Sequence, residues 1–135
     1  MTLQSDIEKL FETYLTAWNG RDFDAMAELF SEPAIYFFPT GPHPIPDRAS
    51  LAATMKKVFE GLEAEDFSHT EIEAVTARQC NDTLAIVDLK NVARLRRDGT
   101  AIEVIDAVYI CTLQDGAWKL STAVGCWPGW RSKPA

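Results

Sequence analysis

The chain reads as an α+β domain, with helices over its first half and an antiparallel meander over its second. Three observations carry that reading. Ile7, Leu10, Phe11, Tyr14, Leu15 and Trp18 recur at three- and four-residue steps, the period of one buried helix face. Asp98-Gly99 and Asp115-Gly116 separate long strand-like segments, and such pairs make tight hairpin turns. Finally, 47% of the 135 residues are hydrophobic, enough for one domain, 1–135, with its own core.

The elements follow in order. Ser5-Asp6-Ile7-Glu8 has the form of a capping box, so the first helix is expected to start there and to end at Asn19-Gly20. Asp22 can cap a second helix that buries Phe23, Met26, Leu29 and Phe30, and Pro33 stops it. Ala34–Phe38 is a short apolar strand. The segment Pro39–Pro46 holds four of the seven prolines and is expected to be a loop. Asp47 caps a third helix, with Leu51, Met55, Val58, Phe59 and Leu62 inward. Strands are then expected at Phe67–Arg78, Leu84–Arg96, Ala101–Leu113 and Trp118–Trp127. The tail Pro128–Ala135 is expected to be loosely held, with Trp130 as an anchor.

Composition narrows the function. The net charge is −7, from 13 Lys+Arg against 20 Asp+Glu. Nucleic acid and anionic membranes both favour a basic face, so neither is the expected partner. No stretch is apolar enough to span a bilayer, and MTLQSDIEKL lacks the features of a signal peptide. Cys80, Cys111 and Cys126 form no CxxC pair, which suits a reduced, cytoplasmic protein. His43 and His69 have no ligand partners at helical or hairpin spacing, so neither a metal nor a cofactor is expected.

If Asp98-Gly99 is a two-residue turn, Arg94 faces Glu103, Ala93 faces Val104, Asn91 faces Asp106 and Leu89 faces Val108. One sheet face then collects Val87, Leu89, Asn91, Ala93, Val104, Asp106, Val108 and Ile110. The other carries Asp88, Lys90, Arg94, Arg96 and Glu103, with Val92, Ile105 and Tyr109 among the charges. An Asp on an apolar face is costly unless bonded or protonated. Two roles are open to Asp106. It can bond Asn91 or a backbone amide and fix register, or it can stand protonated in a dry pocket and donate to a ligand oxygen. A bulge in either strand would move it to the other face.

The segment DFDAMAELFSEPAIYFFPTGPHPIPDRASL, Asp22 to Leu51, resembles the ketosteroid isomerase and SnoaL-like branch of the nuclear transport factor 2-like superfamily. The similarity runs from about Leu10 to Ala53 and returns at Ala101-Ile102-Glu103-Val104-Ile105-Asp106. It implies a cone-shaped roll, in which three N-terminal helices close a strongly bent, mostly antiparallel mixed sheet around an apolar pocket. It places Tyr14 and Asp106 on the oxyanion-stabilising Tyr and Asp of the isomerases. The isomerase base falls on Phe38, which cannot move a proton. The tyrosines that support the catalytic Tyr in some members fall on Phe30 and Met55. Tyr14 also has a plain core role open to it, with its hydroxyl satisfied by backbone.

The candidate site is therefore Tyr14 and Asp106 as oxyanion stabilisers, with Trp18, Tyr36, Phe38, Leu89, Asn91, Val108 and Trp127 around a ligand. Three functions compete: a binding protein for a small apolar or phenol-like ligand, an isomerase, cyclase or dehydratase, and a dimerisation module. A homodimer is expected, because Tyr109, Cys111, Leu113, Trp118, Leu120 and Val124 would form a second apolar face if Asp115-Gly116 is a two-residue turn.

Overall fold

A computed structural model describes residues 2–134. The order is α1 (Leu3–Asn19), α2 (Phe23–Ala27), β1 (Phe30–Phe38), β2 (Gly41–Ile45), α3 (Arg48–Glu63), β3 (Phe67–Asn81), β4 (Leu84–Arg96), β5 (Ala101–Gln114), β6 (Ala117–Cys126) and a short 3₁₀ turn at Trp130–Ser132. The sheet runs β2-β1-β6-β5-β4-β3. Only the β1–β6 pair is parallel, so the sheet is mixed but mostly antiparallel. The helices pack over its concave face, giving the expected α+β roll.

Capping fixes the helix starts. Thr2, not Ser5, is the first cap: its hydroxyl accepts the Ser5 N–H at 3.1 Å, so α1 begins three residues earlier than the Ser5 capping box implied. Asp22 and Asp47 cap α2 and α3 as expected, accepting from Ala25 and Ser50. Ile7, Phe11 and Trp18 turn the buried face of α1 toward β3 and the core. Trp18 and Phe23 meet Phe59 and each other edge to face, Phe67 does the same with Phe59, and Arg21 lies 4.5 Å above the Phe59 ring. Each fully buried side chain of this size stabilises the fold by roughly 1.5–3 kcal/mol before entropy is counted.

The region after α2 departs from the sequence reading. The helix ends at Ala27, and Phe30 already pairs with Leu120 of β6. The gain from that pairing outweighs the helical spacing of Leu29 and Phe30. Pro33 sits where the β1–β6 register shifts, so its missing N–H interrupts no regular ladder. The Pro39–Pro46 segment is largely a strand, with Gly41–Ile45 paired to β1 at the sheet edge. Pro42 and Pro44, two residues apart, leave their missing donors on one side of an edge strand, where prolines are tolerated.

Two bulges decide which side chains face inward. Between Leu89↔Ala107 and Val92↔Ile105, β4 carries Lys90 and Asn91 opposite Asp106 alone. Asn91 adopts φ +50, a left-handed conformation that Asn accepts better than most residues. The pairings Arg94↔Glu103 and Ala93↔Val104 stand as expected, but below the bulge the register slips by one. In β6 the extra residue is Ser121, between Leu120↔Cys111 and Thr122↔Ile110. Tyr109, Cys111 and Leu120 are therefore buried core instead of a second outer face, and Val124 stands opposite Val108 on the convex side. The two hairpin turns differ. Asp115-Gly116 makes the expected two-residue turn, with Gln114 paired to Ala117. At Asp98-Gly99 the Arg96 N–H donates to the Thr100 carbonyl, so Arg97 joins the turn, and a shift between Arg94 and Leu95 restores the expected register beyond it.

Candidate functional site

A cavity of about 770 Å³ opens between α1, α3 and the concave face of the sheet. Strand alternation selects its lining. From β1 come Tyr36 and Phe38, stacked at 5.3 Å. From β5 come Glu103, Ile105, Ala107 and Tyr109, and from β4 come Leu89, Val92 and Arg94. Tyr14 and Trp18 point in from successive turns of α1, Met55 and Val58 from α3, and Trp127 and Trp130 from the C-terminal segment.

At one end three phenol oxygens meet. The Tyr14 hydroxyl lies 3.2 Å from that of Tyr36 and 3.2 Å from that of Tyr109, and Tyr36 and Tyr109 are 3.4 Å apart. Three O–H donors can close a ring in which each hydroxyl gives to the next. Turning one donor outward opens the ring toward a ligand oxygen at the cost of one weak contact. Burial raises the Tyr36 and Tyr109 hydroxyls well above the ordinary phenol value, with Tyr14 adding to both. The Arg94 charge acts on Tyr36 in the opposite direction and more weakly. Both phenols remain protonated at neutral pH and serve as donors.

Asp106 is not part of this cluster. It lies opposite the bulge, on the face away from the cavity, where Oδ1 accepts the Asn91 N–H at 2.9 Å and Oδ2 the Gly129 N–H at 2.8 Å. Of the two roles open to it, the structure shows the backbone-fixing one. Asn91 bonds Glu73 through its side chain, and Val108 faces outward opposite Asp88, so neither lines the cavity. Tyr14, Trp18, Tyr36, Phe38, Leu89 and Trp127 do line it, although Trp127 is 75% exposed and stands at the mouth. The support behind Tyr14 at Phe30 and Met55 is absent, as the sequence implied, but Tyr36 and Tyr109 supply hydroxyls from other strands.

Tyr109, Arg94 and Glu103 were missed because an unbulged hairpin puts them on the charged outer face. The available signal was Lys90-Asn91 within a strand, since Asn is a favoured left-handed residue. The apolar Val92, Ile105 and Tyr109 interspersed among the charges pointed the same way. Cys111 is buried with its thiol pushed up to about 12 by desolvation, which makes it inert as a nucleophile. Among the described residues no three His, Cys, Asp or Glu side chains gather as metal ligands, and no helix is long and apolar enough to cross a membrane.

A bent sheet closed by three helices over an apolar cavity defines the nuclear transport factor 2-like class. The chain belongs to the NTF2-like protein family DUF6841, whose model matches residues 5–127. No curated protein sequence matches it. Solved structures share the fold at low identity. A domain of unknown function with a cystatin-like fold from Nostoc punctiforme is 20% identical, with TM-score 0.72 over 97% of this chain and 83% of that one. An NTF2-like protein with a cystatin-like fold from Novosphingobium aromaticivorans is 17% identical, with TM-score 0.75 over 91% and 80%. Aln2 from a Streptomyces species is 12% identical, with TM-score 0.76 over 93% and 90%.

Proposed function

We infer that this protein binds a small, largely apolar molecule bearing a phenol-like or enolate-like oxygen. The supporting observation is the Tyr14, Tyr36 and Tyr109 hydroxyl cluster at the end of a largely apolar cavity. Protonated phenols in a desolvated site donate best to an oxygen carrying negative charge. Binding without proton transfer is favoured over isomerase chemistry. By the resemblance the isomerase base falls on Phe38, which stacks on Tyr36, and the carboxylate lining the cavity, Glu103, is tied to Arg94.

The test compares a phenolic steroid with its counterpart lacking the hydroxyl, by calorimetry. The phenol should bind more tightly, and Tyr109→Phe should reduce its affinity by roughly three- to tenfold while leaving the counterpart unchanged. Equal affinity for the two, or no effect of Tyr109→Phe, would remove the hydroxyl cluster from the function. Turnover of an unconjugated ketosteroid at the rate of a true isomerase would overturn the binding-only reading.

A second observation favours a homodimer. The convex face carries Phe37, Ile86 and Ile110, which are 40%, 38% and 37% exposed, with Val108 and Val124 between them. A second copy of the chain is the occupant we assign to that face. Three free cysteines among the described residues fit a reduced, cytoplasmic setting.

A further inference from the structure

Besides Thr70, which accepts from the Trp18 indole, two groups of polar side chains line the largely apolar cavity. The tyrosine cluster is one. The other is Arg94 with Glu103, paired directly across β4 and β5, where Arg94 Nη1 donates to Glu103 Oε1 at 2.7 Å. Along β5 the inward side chains run Glu103, Ile105, Ala107, Tyr109. Six residues at about 3.3 Å each place the two ends at most about 20 Å apart along the strand. Side chains reaching inward shorten the span between polar atoms.

The ion pair is not a closed unit. A guanidinium offers five N–H donors in a planar fork. Its hydrogen bond to Glu103 runs through Nη1, and among the described residues no other protein acceptor bonds the Arg94 fork. The Arg94 side chain is also the less exposed partner, at 30% against 42% for Glu103. Glu103 thus orients a permanently charged fork that keeps donors to spare beside the cavity. A carboxylate matches such a fork in shape and charge. The net charge of −7 repels anions at long range, so attraction for one has to come from this local contact.

We propose that the cavity accepts an elongated amphipathic carboxylic acid. Its hydroxyl- or oxo-bearing end meets the tyrosine cluster, its apolar body lies along Phe38, Leu89 and Ile105, and its carboxylate takes the free donors of Arg94. This rests on the pocket reading above and adds the orientation and charge of the ligand.

The experiment uses para-hydroxyphenyl alkanoic acids of increasing chain length, their methyl esters and the matching amines, titrated calorimetrically. One chain length should bind best, and its acid should outbind its ester by on the order of tenfold. Arg94→Gln should erase the acid-over-ester preference without weakening the ester. Glu103→Gln should hold or raise the affinity of the acid, because a rival carboxylate is gone. Arg94→Lys, which keeps the charge but loses the fork, should retain part of the preference, and melting curves establish that each variant is folded. Equal binding of acid and ester by wild type, or preference for the amine, with Tyr109→Phe still weakening every probe, would overturn the Arg94 assignment and leave the pocket standing. If no probe binds wild type, the pocket reading falls and this inference falls with it.

Discussion

The two faces of the sheet are built from the same strands, and both are apolar. The concave face carries Tyr36, Phe38, Leu89, Ile105, Ala107 and Tyr109, and the convex face carries Ile35, Phe37, Ile86, Val108, Ile110 and Val124. Hydrophobicity does not tell them apart. Their polar groups do. On the concave side, hydroxyls gather in one desolvated cluster whose partners are one another. On the convex side, Asp106 and Asp88 are committed to the backbone amides of Asn91 and Gly129 and to the Arg131 guanidinium. Polar groups that bond to each other can be redirected to a ligand, whereas those fastening the chain to itself are structural.

Two residues of β6 measure the difference most directly. Leu120 is fully buried and Val124 is half-buried on the convex side. Leu120→Ala should lose about 2–5 kcal/mol in denaturant unfolding, the range for a large core truncation. Val124→Ala should lose less than about 1 kcal/mol. Similar losses at both positions would mean that the convex face is covered as thoroughly as the core. Next in size is Asp106→Ala, which strips the acceptor from two backbone amides and should cost roughly 2 kcal/mol. Asp106→Asn keeps an acceptor and should cost less. Neither should change affinity for a phenolic probe, and a selective loss of that affinity at full stability would return Asp106 to the site.

Most elements were legible because local rules govern them. The stripe of Ile7, Phe11, Tyr14 and Trp18, the caps Asp22 and Asp47, and the turn Asp115-Gly116 each act within a few residues. One part of the candidate site's geometry followed from the same rules, since Tyr14, Trp18, Tyr36, Phe38, Leu89 and Trp127 line the cavity. The other part depended on the Lys90-Asn91 bulge. One extra residue exchanges the faces of everything beyond it, which replaced Asp106 and Val108 with Ile105, Ala107 and Tyr109. That event is non-local, because Asp106, fifteen residues from Asn91, accepts the bulge amide. Similarly, β1 begins at Phe30 because β6, far along the chain, is there to pair with it.

Alkaline pH probes chiefly the concave side. The Cys111 thiol is raised from an ordinary 9.0 to about 12, and Tyr36 and Tyr109 are raised well above 10.0, in each case chiefly by burial. These groups hold their protons more tightly folded than unfolded. The stability they contribute is intact below the unfolded values and is lost as pH rises toward the folded ones. Loss should begin near pH 9 through Cys111, with a contribution from Cys126, whose thiol burial also raises, and steepen above pH 10 as the two tyrosines join. Each group contributes a slope of about 1.4 kcal/mol per pH unit within its window. Cys111→Ala should flatten the first part of that limb in urea titrations, and an unchanged limb would assign the loss to other groups.

The smallest expected effect on the isolated chain falls on the convex face and reports on assembly. Ile110 is 37% exposed at the centre of that face, opposite Thr122 and Ile86. Ile110→Lys removes little burial within one copy, so its unfolding free energy should move by no more than about 0.5 kcal/mol when measured in dilute solution. If two copies meet through this face, the same substitution buries an unpaired ammonium at the contact and costs several kcal/mol of association. Sedimentation at micromolar concentration should then give twice 15.1 kDa for wild type and 15.1 kDa for Ile110→Lys. Phenol affinity should be the same in both, because no cavity residue is touched. A wild-type particle of 15.1 kDa would mean that the convex face stays uncovered, and the polar groups would then be what separates two apolar faces.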